Sequence, residues 1–196
     1  LRDFFFYGIL WFGGERPKEE EMESATVRVG IVDIGQMLKG QILVALVDEG
    51  GPAGIPAPKK PRAWYTPGGS IKNGETDMAC RDRETNEEGG GIIRAEDVKW
   101  LDPPVLFEEI PNGEGAVHYR ILATGIYIGE PTPREFPVND PDGKIHRWRW
   151  FTEEELEDGA YDGLKIHPRH AKMAKEAIRR VREYLREYAK VMLSKA

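Results

Sequence analysis

Cysteine is almost missing from this chain. Cys80 stands alone among 196 residues, so no internal disulfide can form. That economy suits a reducing compartment, and the chain reads as cytoplasmic. Histidine is nearly as scarce, and His118, His167 and His170 have no partners at metal-ligand spacing. Long hydrophobic runs are missing too. The apolar stretch Leu1 to Phe12 is too short to cross a bilayer, and it lacks the positive start and small-residue cleavage site of a signal peptide. Positive charge is in deficit, with a net charge of −6, which argues against a general nucleic-acid binder. Internal repeats are absent. An apolar share of 40% and a charged share of 32% describe one globular domain, not a disordered chain.

The charge that is present is unevenly placed. Residues 165–196 carry ten Lys or Arg against three Glu, so +7, which leaves −13 for the remainder. Glu176 with Arg180 and Glu183 with Arg186 fit a salt-bridged, solvated helix face better than an RNA-binding one. Residues 1–24 read as an apolar arm and a polar linker. Phe4, Phe5, Phe6, Ile9, Leu10 and Trp11 need a surface to cover them, either on the same subunit or across a homodimer. The domain proper takes residues 25–196.

Along that domain, Thr26–Ile34 and Gln41–Val47 are β-branched runs that read as paired strands. Asp48–Arg62 is a long Gly/Pro-rich loop carrying Lys59, Lys60 and Arg62, candidates for phosphate contact or for solvated loop charges. A short strand with Trp64 and Tyr65, candidates for base stacking or for the core, leads into Pro67-Gly68-Gly69. Thr76 caps a helix over 77–88, stopped by Gly89-Gly90-Gly91. Extended segments follow over 98–107 and 118–128, then a four-proline loop over 130–144 and a half-buried strand over 145–151. Thr152 caps a short acidic helix, and a long helix with an apolar stripe closes the chain over 168–193. The mixture is α+β.

The chemistry concentrates in the capped helix. Glu84, Glu87 and Glu88 stand at i, i+3 and i+4 and share one face. Three carboxylates that close repel by roughly 1 kcal/mol per pair at an effective dielectric near 20. A hard divalent cation, Mg²⁺ or Mn²⁺, relieves that cost and prefers all-oxygen donors.

Gly69, Glu75, Arg83, Glu84, Glu87, Glu88 and Gly90 also resemble the Nudix box, G-x5-E-x7-R-E-U-x-E-E-x-G-U, at every charged and glycine position. Thr85 and Gly91 replace its two bulky aliphatic positions, U. Trp150-Phe151-Thr152-Glu153-Glu154 looks like the tryptophan strand and acidic turn that close that fold. The resemblance implies an α/β/α sandwich around a mixed sheet, and hydrolysis of a nucleoside diphosphate linked to a moiety X. It also implies that Glu84, Glu87, Glu88 and the Gly68 carbonyl hold the metal, and that Arg83 orients a box carboxylate. By the same resemblance, the general base is a box glutamate in some members and an acid of the loop before the tryptophan strand in others, and of Glu130, Glu135, Asp140 and Asp142 in that loop Glu135 is the choice. A small nucleotide is then the substrate, of the nucleoside triphosphate or ADP-ribose type. A binding module that has lost catalysis is the alternative.

Overall fold

The computed structural model describes residues 25–35, 42–50, 62–111, 117–138 and 144–194. Lys59, Lys60 and the N-terminal arm lie outside them, as does the arm-mediated homodimer.

Ten strands and three α-helices are described. They are β1 (Ala25–Asp33), β2 (Leu43–Glu49), β3 (Ala63–Tyr65), α1 (Asp77–Glu88), β4 (Val98–Trp100), β5 (Val105–Pro111) and β6 (Val117–Tyr127). The chain continues through β7 (Glu135–Pro137), β8 (Ile145–Phe151), α2 (Glu153–Asp158), β9 (Ala160–Tyr161), β10 (Leu164–Lys165) and α3 (Pro168–Leu193). The main sheet runs β4-β6-β1-β2-β8-β7, with β3 paired to β2 and β5 to β6. It is mixed: β1 and β6 are parallel over eight residue pairs, and every other pairing is antiparallel.

Both faces of the sheet are covered, which is why β1 reads as a nearly continuous apolar run. Val27 and Ala25 pack with Cys80 of α1, and Val29 and Ile31 continue that side toward Trp148 and Trp150. Val32, Val44 and Leu46 face the other way, against Ala174, Ala177, Ile178 and Val181 of α3. Gly30 lets α3 sit close, since a Cβ there would lie 2.4 Å from the Ala177 Cβ.

Strands β1 and β2 pair as expected, but only at Val32↔Val44 and Asp33↔Leu43. Below that point they splay, and the freed edge of β1 takes up the glycine segment instead. Val29 N–H donates to the Pro67 carbonyl (2.8 Å), Val27 N–H to Gly69 (2.9 Å), and Ile71 N–H to Ala25 (3.0 Å). The site is therefore built into the split.

Three local readings change. The four-proline loop contains β7, which Pro137 can end because β7 lies at the edge of the sheet. The extended segment at 98–107 is two strands, β4 and β5, divided by a cis Asp102–Pro103 peptide. The ion pairs of α3 centre on Arg179, which bridges Glu176 and Glu183, because Arg180 is buried and donates to Thr124 Oγ1 and to the Leu101 and Pro103 carbonyls. Its apolar stripe is buried only through Val181, and Tyr188 and Met192 are 43% and 52% exposed.

Candidate functional site

α1 starts where Thr76 Oγ1 accepts from Ala79 N–H (3.1 Å) and ends at Gly89, followed by Gly90 and Gly91 at φ +59° and +75°. Its departures from the box pattern are absorbed locally. Thr85 is fully buried, and its hydroxyl donates to the Arg81 carbonyl one turn back (2.8 Å), so no polar group is stranded. Ile93, arriving late, is fully buried where Gly91 cannot contribute. Cys80 is buried as well, and burial pushes its thiol up to about 12, with help from the Glu75 and Glu84 charges. It is a packing residue.

Arg83 is the hub. Nε and Nη2 grip the two Glu75 oxygens at 2.8 and 2.9 Å, a bidentate pair. Nη1 reaches Glu84 and also Glu87 (3.1 Å), and Nη2 adds the Ser70 carbonyl (3.1 Å). Glu75 also accepts from Lys72 N–H (2.9 Å), so it ties the loop to the helix. Its carboxyl is held down at about 2, first by the Arg83 hydrogen bonds.

Glu84 and Glu88 fold onto the glycine pair. The Glu84 carboxylate fills the space beside Gly69, where a Cβ would come within 2.3 Å of Oε1. Glu88 Oε2 accepts from Gly68 N–H (2.8 Å). Burial pushes Glu88 up to about 8, and the nearby Glu49 and Glu84 charges push the same way. The Gly68 carbonyl accepts from Arg28 Nη1 (2.7 Å). Among the described residues, no three His, Cys, Asp or Glu side chains gather at metal-binding spacing, because Arg83 holds Glu84 and Glu87.

Arg28 and Glu49 were not anticipated as neighbours of this site. Arg28 had a signal: it is the one charge in Thr-Val-Arg-Val-Gly-Ile-Val, the apolar run that precedes Asp33 at the end of the strand. Glu49 ends β2, where the sequence had already been assigned to a loop.

Other candidates lie elsewhere. Trp64 is fully buried, edge-on to Phe151 at 5.0 Å, and its Nε1 donates to the Tyr161 carbonyl. Tyr65 is 2% exposed and stacks on His167. Neither ring faces solvent, because β3 is covered on both sides. His170 is buried with Nδ1 3.1 Å from Thr66 N. Arg62 grips Asp48 bidentately at 2.9 and 2.8 Å. Glu135 pairs with Arg147 (2.8 Å) and Arg149 (3.3 Å) at the β7 edge, beside a groove of about 710 Å³ that Arg62, His146 and Asp162 also line. No described hydrogen bond or ion pair joins Glu135 to the α1 carboxylates. Its balanced surroundings, four arginines against four acids, read as a structural network.

The described helices include none long and apolar enough to cross a membrane. A search of curated protein sequences returned no match. Solved structures are similar in fold. A Nudix hydrolase from M. smegmatis, RenU, superposes with a TM-score of 0.55 at 19% identity, covering 83% of this chain and 88% of that one. A NUDIX-family hydrolase from Clostridium perfringens gives 0.54 at 18%, covering 81% and 98%. The NUDIX domain of Shewanella oneidensis NrtR, solved with ADP ribose, gives 0.54 at 14%, covering 81% and 88%. The NUDIX domain family model matches residues 26–176, from the second residue of β1 into α3, and the chain belongs to that family.

Proposed function

We propose that this Nudix-family hydrolase, which acts on pyrophosphate bonds, is metal-dependent and cleaves a nucleoside diphosphate linked to X into a nucleoside monophosphate and phospho-X. What carries the reading is the convergence of the Glu84 and Glu88 carboxylates on Gly68 and Gly69. The donor set is all oxygen, and Glu88 is a buried carboxylate with a raised pKa beside two other acids, a site that a cation would relieve. Glu84, Glu87, Glu88 and the Gly68 carbonyl would hold Mg²⁺ or Mn²⁺. When bound, such an ion neutralises phosphate charge and acidifies water.

The chain's own residues divide the remaining work. Arg83 is the positioning residue, keeping Glu84 and Glu87 gathered on the helix face. Gly68 N–H orients Glu88. With Glu135 held by two arginines, the proton acceptor falls to the box carboxylates. Candidate substrates are nucleoside triphosphates and ADP-ribose.

Glu87→Gln and Glu88→Gln should each abolish Mg²⁺-dependent phosphate release while circular dichroism and melting stay near wild type. Glu135→Gln should keep turnover within a few-fold. Normal activity in both box variants sinks the reading.

A further inference from the structure

Behind Gly68, on the sheet face that carries α3, three arginines gather, and two of them share one carboxylate. Arg120 Nη1 donates to Glu108 Oε2 (2.6 Å), and Arg169, in the first turn of α3, reaches the same oxygen (3.2 Å). Arg28 donates to the Gly68 and Thr66 carbonyls, and its charge acts on Glu88. The strand register sets Thr26 beside Arg120, so Arg28 and Arg120 project from neighbouring strands on the same face, two residues apart. The Nε atoms of Arg28 and Arg120 are both buried without a hydrogen-bond partner. Buried unpaired donors on charged groups are costly and call for an explanation. The Arg120 guanidinium is itself destabilised, by burial first and then by the Arg169 and Arg28 charges. Glu108 is the one acid ion-paired with this cluster among the described residues, and Glu88 lies within reach of the Arg28 charge. Arg169 and Glu108, 42% and 32% exposed, leave the cluster open to solvent.

We propose that Arg28, Arg120 and Arg169 form an anion subsite, joined to the box through Gly68, that takes the distal phosphate of a polyphosphorylated nucleotide. This rests on the box being the hydrolytic site. It ranks nucleoside polyphosphates, which carry charge at that end, above ADP-ribose, whose terminal sugar is neutral. The bidentate geometry of guanidinium with phosphate supplies the recognition.

The test uses the full chain. Inorganic triphosphate is titrated by calorimetry in chelator at low salt, against wild type, Arg120→Gln and the more exposed Arg169→Gln. Each variant should bind about tenfold more weakly, the loss expected for one charge-assisted contact. With Mg²⁺, KM for a nucleoside triphosphate should rise in Arg169→Gln at unchanged kcat, and KM for ADP-ribose should not move. Triphosphate should inhibit competitively. A noncompetitive pattern would assign the subsite to free phosphate and overturn its link to substrate. Equal triphosphate affinity in wild type and both variants overturns the subsite outright. A wild-type chain inert toward every nucleotide refutes the hydrolytic reading instead, and the calorimetry still decides the subsite.

Discussion

The Glu75–Arg83 pair fixes the glycine loop to α1, and its worth is calculable. A carboxyl held at about 2 instead of 4.5 corresponds to roughly 3 kcal/mol of preference for the charged form. Arg83 supplies the largest part, and the Lys72 N–H bond a smaller one. The two side chains are 18% and 13% exposed, so solvent screening takes little away. A coupling of about 2 kcal/mol is therefore expected at pH 7, above the range of exposed pairs. Because the folded pKa lies below the unfolded one, this stability is fully present above about pH 4.5 and is lost as pH falls toward 2. At pH 3, less than half should remain.

The measurement is a double-mutant cycle of Glu75→Gln and Arg83→Gln, with stability taken from urea unfolding at pH 7 and pH 3. Arg83→Gln alone should also lower Tm by about 4–8 °C for a domain of this size. A coupling below about 0.5 kcal/mol at pH 7, or one that does not change with pH, would refute the assignment of Arg83 as the lock between loop and helix.

Asp48→Ala should cost about 3–5 kcal/mol in urea unfolding, because it strips the partner from Arg62 and Arg147 where the carboxylate is fully buried. Gly30→Ala should destabilise by about 1–3 kcal/mol through overpacking against Ala177, read as a lower Tm with unchanged KM. Trp64→Ala should lose about 3–5 kcal/mol of stability while Trp64→Phe keeps wild-type KM, and a KM change in the Phe variant would return Trp64 to the substrate site. Gly69→Ala should lower kcat while the fold survives, since its Cβ meets the movable Glu84 carboxylate first, whereas Gly68→Ala should unfold the loop, with φ at +127° and the Val27 carbonyl 2.1 Å from the added carbon.

What could be read from the chain beforehand was what is local. The α1 boundaries and its Thr76 cap, the Thr152 cap of α2 and the extent of α3 follow from short-range chemistry, and they stand where expected. Pairing was less legible. β1 looked like half of a hairpin with β2, yet its main partner is β6, some 90 residues away, because alternation says which residues face inward but not which strand lies alongside. The surroundings of Glu135 and Trp64 were hidden for the same reason. A carboxylate in a loop and an aromatic before a glycine turn carry no mark of what they will meet, and here they met Arg147 and Phe151.

The spacing of the box is better explained by packing than by chemistry alone. Gly69 is needed because Glu84 occupies the volume of its Cβ. Glu75 and Arg83 are needed together, one turn of loop and two of helix apart, because each satisfies the other. Glu88 is tied to Gly68 N–H, and Gly90 adopts a positive φ as the chain leaves the helix beside Val138. Five of the seven matched positions thus take part in a contact that holds the loop to the helix before any ligand arrives, and Gly90 ends the helix. Glu87 is the exception, 55% exposed with one long bond to Arg83 and a looser approach to Lys72. A carboxylate that the fold hardly uses, at a position the pattern fixes, is where a function outside folding has to be sought. That makes Glu87→Gln the cleanest separation of catalysis from stability in this chain.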